Sequence, residues 1–444
     1  MRVQAETGGA PRRGIVMSAQ ARGGTDVRRP SRLRQGGRRS AAIILFAVAA
    51  AQAVSAQDWP QWRGPNRDGV VGSFTEPKAW PEQLKLKWKV KVGIGHSSPV
   101  VSGRRIYLHS REGENEVVQA IDPATGERLW QDSYPVAYTV QRAAAAHGKG
   151  PKATPVVAHG RLYTFGISGV LSCYDIRSGK LRWRKETSSQ FNNDLPDYGV
   201  ASSPVVDRGL LIINAGGGSG ALMAYNAETG EQKWSLKADS ASYASPIVAD
   251  LGGARQVITV SQQSIIGVAA DSGVLLWRIP YPATGPVTIP TPVLYQQTVI
   301  CSGFDRGTKA FTVTKRGNEW ATEEAWYNSD VSVWMNTPVL SGDFLFGLSQ
   351  KKRGQFFGLD ARTGKVLWTS DGQAGDYAVL LKSAHKLFIQ TTDGSLTVAK
   401  ITDKGYEPIK SYQVADSATW AHPAIIKNQV LIKDVEHLAL WSFS

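Results

Sequence analysis

The sequence predicts an all-β fold: an eight-bladed β-propeller of four-stranded antiparallel blades, its ring closed by an N-terminal strand that pairs with the last blade. Three observations predict it. A Ser/Thr-Pro-Val/Ile triplet recurs along the chain, a Gly-x-x-x-Trp signal alternates with it, and nothing after residue 57 sustains a helical period.

The triplet occurs at Ser98-Pro99-Val100, Thr154-Pro155-Val156, Ser203-Pro204-Val205, Ser245-Pro246-Ile247, Thr291-Pro292-Val293 and Thr337-Pro338-Val339. His422-Pro423-Ala424 is a degenerate copy, and Tyr377-Ala378-Val379 is a copy that has lost its proline. Successive prolines stand 56, 49, 42, 46, 46 and 85 residues apart, and the last gap holds two units. Eight repeats of this length each suit one four-stranded blade.

The second signal occurs at Gly126/Trp130, Gly179/Trp183, Gly230/Trp234, Gly273/Trp277 and Gly364/Trp368. Asp122, Asp175, Asn226 and Asp360 stand four residues before their glycines, whereas Ala269 holds that place in the fourth copy. An Asp or Asn side chain bonds amides just ahead of it and starts a tight turn, and Gly ends the turn without a Cβ penalty. The turn joins the third and fourth strands of a blade, which places the tryptophan on the fourth strand, where it can wedge between blades.

Short β-rich runs flank these turns at Gly160–Phe165, Gly209–Ile213, Val257–Val260 and Val430–Ile432. The last repeat supplies only three strands, near Ala424–Ile426, Val430–Lys433 and Leu438–Phe443. Leu84–Val92, with Trp88, is a strand without a blade of its own, and is expected to complete the last blade and remove its open edge. The structural tryptophans are therefore expected to be Trp88, Trp130, Trp183, Trp234, Trp277 and Trp368.

The pattern Asp-x-x-Thr-Gly-Lys/Glu-x-x-Trp resembles the tryptophan-docking motif of pyrroloquinoline-quinone-like (PQQ-like) propellers. Quinoprotein alcohol dehydrogenases carry it, as does the propeller lipoprotein of the outer-membrane β-barrel assembly machine. The opening 58–69, Asp58-Trp59-Pro60-Gln61-Trp62-Arg63 onward, and the ending Trp420-Ala421-His422-Pro423 are similar to segments of exported PQQ-like repeat proteins. The resemblance spans residues 58–444 and implies the propeller. A dehydrogenase of this kind would add a disulfide between adjacent cysteines, a Ca2+ site and a haem partner. Here Cys173 and Cys301 lie in different repeats and are expected to be separate buried thiols.

The 444-residue chain has a net charge of +14, but the charge is uneven. Residues 1–56 hold ten arginines against Glu6 and Asp26, and the rest is near balance, so no nucleic-acid footprint is seen. The Arg-rich start, the apolar run Ala41–Val54 and the Val54-Ser55-Ala56 end read as an export signal over 1–56. Met17 is an alternative start, Arg38-Arg39 permits a twin-arginine route, and an uncleaved anchor is the competing reading. The expected organisation is signal 1–56, N-terminal strap 57–83 and propeller 84–444. The mature protein is then periplasmic or extracellular, monomeric and without a transmembrane span.

Propellers bind ligands at one face of the central channel, through loops between blades. The longest such loop, 134–152, contains a helix-friendly alanine run with His147, and Lys149 and Lys152 are candidates to meet an anion, set against an ordinary solvated loop. The loop 191–199 offers Asn192, Asp194 and Asp197 as oxygen donors, without calcium-loop spacing. Tyr243, Trp334, Asn336, Trp420 and His422 stand just before or within repeat triplets. They are candidates for a cofactor pocket, set against simple packing between blades. The stretch 215–220 is glycine-rich but followed by a strand, so it reads as a hairpin rather than a dinucleotide loop. The segment with Trp59, Trp62, Arg63 and Asp68 reads as a strap packed on the propeller. No nucleophile, base or metal set is recognisable. The expected function is a non-catalytic binding or assembly scaffold for a protein or peptide partner. A divergent PQQ-binding quinoprotein oxidoreductase, with PQQ and Ca2+, is the alternative, and glycan binding by aromatic loops is a third.

Overall fold

The computed structural model describes residues 58–191, 195–216, 221–237, 241–282, 288–402 and 404–444. The predicted export signal lies outside the described residues, as do Asn192 and Asp194. No helix among the described residues is long and apolar enough to cross a membrane.

The strands form eight four-stranded antiparallel sheets, each a blade. Blades 1 to 7 span 100–135, 156–186, 205–236, 247–280, 293–328, 339–369 and 378–413. Blade 8 takes Ala424–Ile426, Gln429–Lys433 and His437–Ser442 from the chain's end. Its fourth strand is Lys85–Lys91, which pairs antiparallel with His437–Ser442, from Lys85 opposite Ser442 to Lys91 opposite His437. The triplet prolines sit immediately before first strands, where a missing N–H breaks no ladder. The apolar core is distributed as wedges between neighbouring sheets. Val156, Phe165 and Leu171 of blade 2 meet Leu211, Ile213 and Met223 of blade 3, for example. Cys173 and Cys301 are separate and buried.

At the outer strand every blade uses one geometry. The ladder shifts register at a bulge, and the residue there faces the third strand: Ala120 opposite Trp130, Cys173 opposite Trp183, Ala224 opposite Trp234, Ala310 opposite Trp326. From this place Trp88, Trp130, Trp183 and Trp234 reach the next blade. A Cβ on Gly126, Gly179, Gly230 or Gly273 would come within 2.9, 2.5, 2.8 and 2.7 Å of the respective ring. Each indole Nε1 donates to the carbonyl just past the turn's first residue: Pro123 (2.9 Å), Ile176 (3.2 Å), Ala227 (3.3 Å) and Ala270 (3.2 Å). Glycine is required because the ring rests on its Cα. The Asp or Asn opens the turn with side-chain bonds, as in Ala124 N–H to Asp122 Oδ1 at 2.7 Å.

Two of the six expected docking tryptophans do not dock this way. Trp277 and Trp368 lie instead over Gly267 and Gly358 of their own blades. Trp277 donates to Gln256 Oε1 of its own blade at 2.6 Å, and Trp368 packs beside Tyr406 of blade 7 with no partner for its Nε1 among the described residues. The reason is the neighbour. Blades 5 and 7 join their last strands by long hairpins, Thr308–Arg316 with Glu319–Asn328 and Ser395–Thr402 with Gly405–Gln413, so they present no docking turn. Trp326 of blade 5 docks on Gly364 of blade 6 and was hidden in sequence, because its own turn lacks the signal. Blade 7 carries Lys410 at the bulge, paired with Glu82.

The strap runs across the ring. Trp59 bridges to Val101 of blade 1, and the Pro60 carbonyl accepts from Val157 N–H of blade 2. Arg67 donates to the Ser203 and Pro204 carbonyls of blade 3 at 2.9 and 2.8 Å. Arg63 donates to the Thr337 and Pro338 carbonyls of blade 6 at 3.0 and 2.9 Å. Val71 N–H then reaches Lys382 of blade 7, and Phe74 and Trp80 pack with Phe443 beside blade 8. Both guanidiniums are buried, and burial pulls Arg63 down to about 10 and Arg67 to about 9.

Candidate functional site

The triplets build the site. The N–H of one triplet's Ser or Thr donates to the hydroxyl of the next: Ser98 to Thr154 (3.3 Å), Thr154 to Ser203 (3.0 Å), Ser203 to Ser245 (2.9 Å), Ser245 to Thr291 (3.0 Å) and Thr291 to Thr337 (3.2 Å). His422 N–H joins the belt at Ser98 Oγ, 2.8 Å away. This is why a hydroxyl residue precedes each proline: it satisfies an amide that the channel would otherwise leave unpaired. Blade 7 breaks the belt with Tyr377, whose hydroxyl donates to the Trp420 carbonyl at 2.5 Å.

Above the belt lies a cavity of about 510 Å³. Its wall follows a two-residue offset in the segments that lead into the first strands, counted back from each triplet's Ser or Thr and from His422. His96, Lys152, Ala201, Tyr243, Ile289, Met335 and Trp420 hold these places, and all line the cavity. Trp62 of the strap also lines it, 5.5 Å from His422 between ring centroids and stacked near Arg63 and Arg67. The strap thus contributes to the site as well as to packing.

Of the residues expected at a cofactor pocket, Asp197, Tyr243, Trp334, Asn336, Trp420 and His422 all line this cavity. Asn336 is committed to its own blade, bonding the Leu348 carbonyl through Nδ2 at 2.8 Å. Tyr243 Oη accepts from Tyr198 N–H at 3.0 Å. Asp197 is exposed at the mouth. His96 carries no signal of its own in the sequence, His147 and Tyr198 stand there only as members of the loops 134–152 and 191–199, and Lys152 is a candidate anion contact whose place in the cavity wall comes from the structure. The two-residue offset from the triplet was the signal for His96 and Lys152. His147 ends the 3-10 helix Arg142–His147, formed by the alanine run.

An aromatic arc crosses five interblade segments. Tyr377 stands 4.9 Å from Trp420, Trp420 4.7 Å from His147, His147 5.4 Å from Tyr198, and Tyr198 5.8 Å from Tyr243. Within it burial holds His96 down to about 3, aided by the charge of Lys152, while burial with the Arg63 charge holds His422 near 3. Burial lowers Lys152 to about 8. Its only hydrogen-bond acceptor among the described residues is the Gly148 carbonyl at 3.5 Å, and no described carboxylate forms an ion pair with it. Near neutrality the wall therefore carries neutral imidazoles, aromatic faces and one ammonium.

Eight blades with docked tryptophans and a hydroxyl belt define a PQQ-like repeat propeller. A family model described as outer membrane protein assembly factor BamB matches residues 70–149 and 114–370, and the chain belongs to that family. It is 26% identical over 307 residues to the outer membrane protein assembly factor BamB of Shewanella oneidensis, covering 64% of this chain and 72% of the relative. It is 27% identical over 159 residues to the quinohemoprotein alcohol dehydrogenase ADH-IIG of Pseudomonas putida, covering 34% of this chain and 21% of that enzyme. The structure of BamB from Moraxella catarrhalis superposes with a TM-score of 0.59 at 14% identity, over 81% of this chain and 99% of that one. The quinohemoprotein alcohol dehydrogenase of Comamonas testosteroni gives 0.63 at 14% identity, over 88% and 81%. At that identity the structural likeness speaks for the fold alone.

Proposed function

We propose that the chain is an exported, non-catalytic binding and assembly scaffold, periplasmic or extracellular, whose partner is an extended protein or peptide segment. The family match across blades 1 to 6 carries this reading. The outer strands supply the means. Each ends its sheet among the described residues, leaving an edge on which a further strand can pair. Blade 8 guards its edge with Lys85, Lys87, Lys89 and Lys91. Blade 4 is one of the weakly charged edges, since Leu275–Pro280 carries only Arg278 as a charge and the adjoining Val274 is 58% exposed. A photo-crosslinking residue at Val274 is expected to trap polypeptide in the cell envelope, while one at Asp197 is not. Equal trapping at both positions, or none at Val274, overturns the reading, as does alcohol oxidation by the pure protein with PQQ and Ca2+.

Quinone-dependent oxidation is the second reading, favoured by the aromatic cavity and the similarity to an alcohol dehydrogenase. The described lining suits a PQQ–Ca2+ pair poorly. Calcium needs six to eight oxygen donors, and Asp197 is the one carboxylate there. Lys152 is the one ammonium for a ligand that brings three carboxylates. Spectral titration with PQQ decides this reading, and no binding at tens of micromolar removes it.

A further inference from the structure

The mismatch between this cavity and a metal-bound polyanion leaves a different ligand chemistry, which goes beyond the scaffold reading and does not depend on it. We propose that the channel pocket is a metal-free site for a small molecule carrying one carboxylate on an apolar, ring-containing body, with the carboxylate on Lys152 and the body against Trp420 and the tyrosines beside it.

Charge sets the sign. Lys152 is half-buried in the wall of a cavity of about 510 Å³. Among the described residues it has no carboxylate partner. An ammonium partly withdrawn from water and without a counter-charge loses hydration, and a bound anion offsets that loss. The number of charges follows from the rest of the lining. Among the described lining residues Lys152 is the one ammonium and the exposed Asp197 the one carboxylate, and the nearby His96 and His422 are held neutral, so at most a single anionic group is matched and a polyanion is not.

The body of the ligand follows from the wall. The arc Tyr377–Trp420–His147–Tyr198–Tyr243 lines the cavity together with Trp334, whose ring is backed by Phe304 at 5.1 Å. Such a surface favours a flat or apolar group. An aromatic arc alone would equally suit a cation, but the ammonium within it rejects one. Trp334 Nε1, His96 Nε2 and His422 Nδ1 have no partner among the described residues, so the lining retains neutral polar atoms able to adjust to a ligand's polar substituent. With the strap's Trp62 as part of the lining, the pocket is bounded by the strap as well as by the blades, and its scale is that of a small molecule rather than of a folded partner.

The experiment is calorimetric titration of the purified chain with three probes that share one ring system: 2-naphthoate, 2-naphthylmethanol and 2-naphthylmethylammonium. The acid is expected to bind at least tenfold more tightly than the alcohol or the amine, with no change on adding EDTA. Lys152→Met is expected to weaken the acid at least tenfold and leave the alcohol unchanged. Lys149→Met, which alters an ammonium paired with Glu114 on the same loop, is expected to change neither. Equal binding of acid and alcohol, no binding of any probe, or an unchanged Lys152→Met overturns the proposal. Ca2+-dependent binding of PQQ tighter than that of the acid also overturns it. The wild-type probe series stands if Lys152→Met fails to fold. Trapping at Val274 reads the outer rim, so the failure of either proposal leaves the other in place.

Discussion

The indole of Trp326 rests on Gly364 of the neighbouring blade, so close that a Cβ there would stand 2.5 Å from the ring, and its Nε1 donates to the Ala361 carbonyl at 3.0 Å. The same contact recurs at the interfaces made by Trp88, Trp130, Trp183 and Trp234. It joins an outer strand to the turn of the next blade and covers the wedge of apolar side chains between them.

Removing this lock should be costly wherever it exists. Trp130→Ala and Trp326→Ala are each expected to destabilise the protein by about 3–5 kcal/mol, from lost burial and the cavity left behind. Trp326→Phe, which keeps a ring but gives up the bond to Ala361, should cost less. Trp88→Ala should be at least as harmful as the others, because Trp88 lies on the strand that closes the ring. Urea unfolding measures all four, and wild-type midpoints for the alanine variants would show that the contact carries no stability.

Trp277 should behave differently in combination. Its ring covers Gly267, so Gly267→Ala places a methyl in the indole and is expected to destabilise the wild type. In a Trp277→Ala background the same methyl enters vacated space and should cost far less. The two changes are therefore expected to be non-additive by more than about 1 kcal/mol in a double-mutant cycle. An additive result would mean that Trp277 does not cover its own blade.

Arg67→Met should loosen the strap at blade 3. The Ser203 and Pro204 carbonyls lose their donor, which costs about 1–3 kcal/mol for buried acceptors. Trp62, stacked 5.3 Å from the guanidinium, should lose rigidity with it. Faster hydrogen exchange across 59–71, with blade 5 unchanged, is the expected signature.

Stability should fall on mild acidification. His96 and His422 are held near 3 in the folded protein, chiefly by burial. In the unfolded chain each takes up a proton near 6.5. Between those values the unfolded state binds more protons, so stability is lost as pH falls from about 6.5 toward 3, by at most about 1.4 kcal/mol per unit for each histidine. The urea midpoint should drop between pH 7.5 and 5, and His422→Gln should flatten the drop. An equally steep profile in the variant would place the acid sensitivity elsewhere.

How much of this was legible in the sequence varied with the range of the interaction. The eight repeats, their strands and the closing strand Lys85–Lys91 were readable because their signals are local. An Asp bonds amides two residues ahead, a glycine takes a turn, and a proline stands where no ladder bond is needed. Tyr243, Trp334, Asn336, Trp420 and His422 were found because they neighbour the triplets, and Asp197 because its loop gathers oxygen donors. His96 and Lys152 follow from a two-residue offset in the segments that lead into first strands, a rule that becomes visible only once the triplet hydroxyls are known to face the channel.

The amino-acid sequence by itself determined the repeat, the blade count and the outer-strand place of Trp88, Trp130, Trp183, Trp234, Trp277 and Trp368, since backbone turn chemistry acts within a few residues. Only the tertiary structure decided which tryptophans dock. An indole needs a glycine turn on the blade beside it, and Trp277 and Trp368 meet long hairpins instead, so each folds onto its own glycine. The tertiary structure likewise decided that the strap's Trp62 belongs to a pocket and that Lys152 lines the same cavity as the aromatic arc. Those groups come from segments hundreds of residues apart, and what surrounds a charge is settled only when the ring closes.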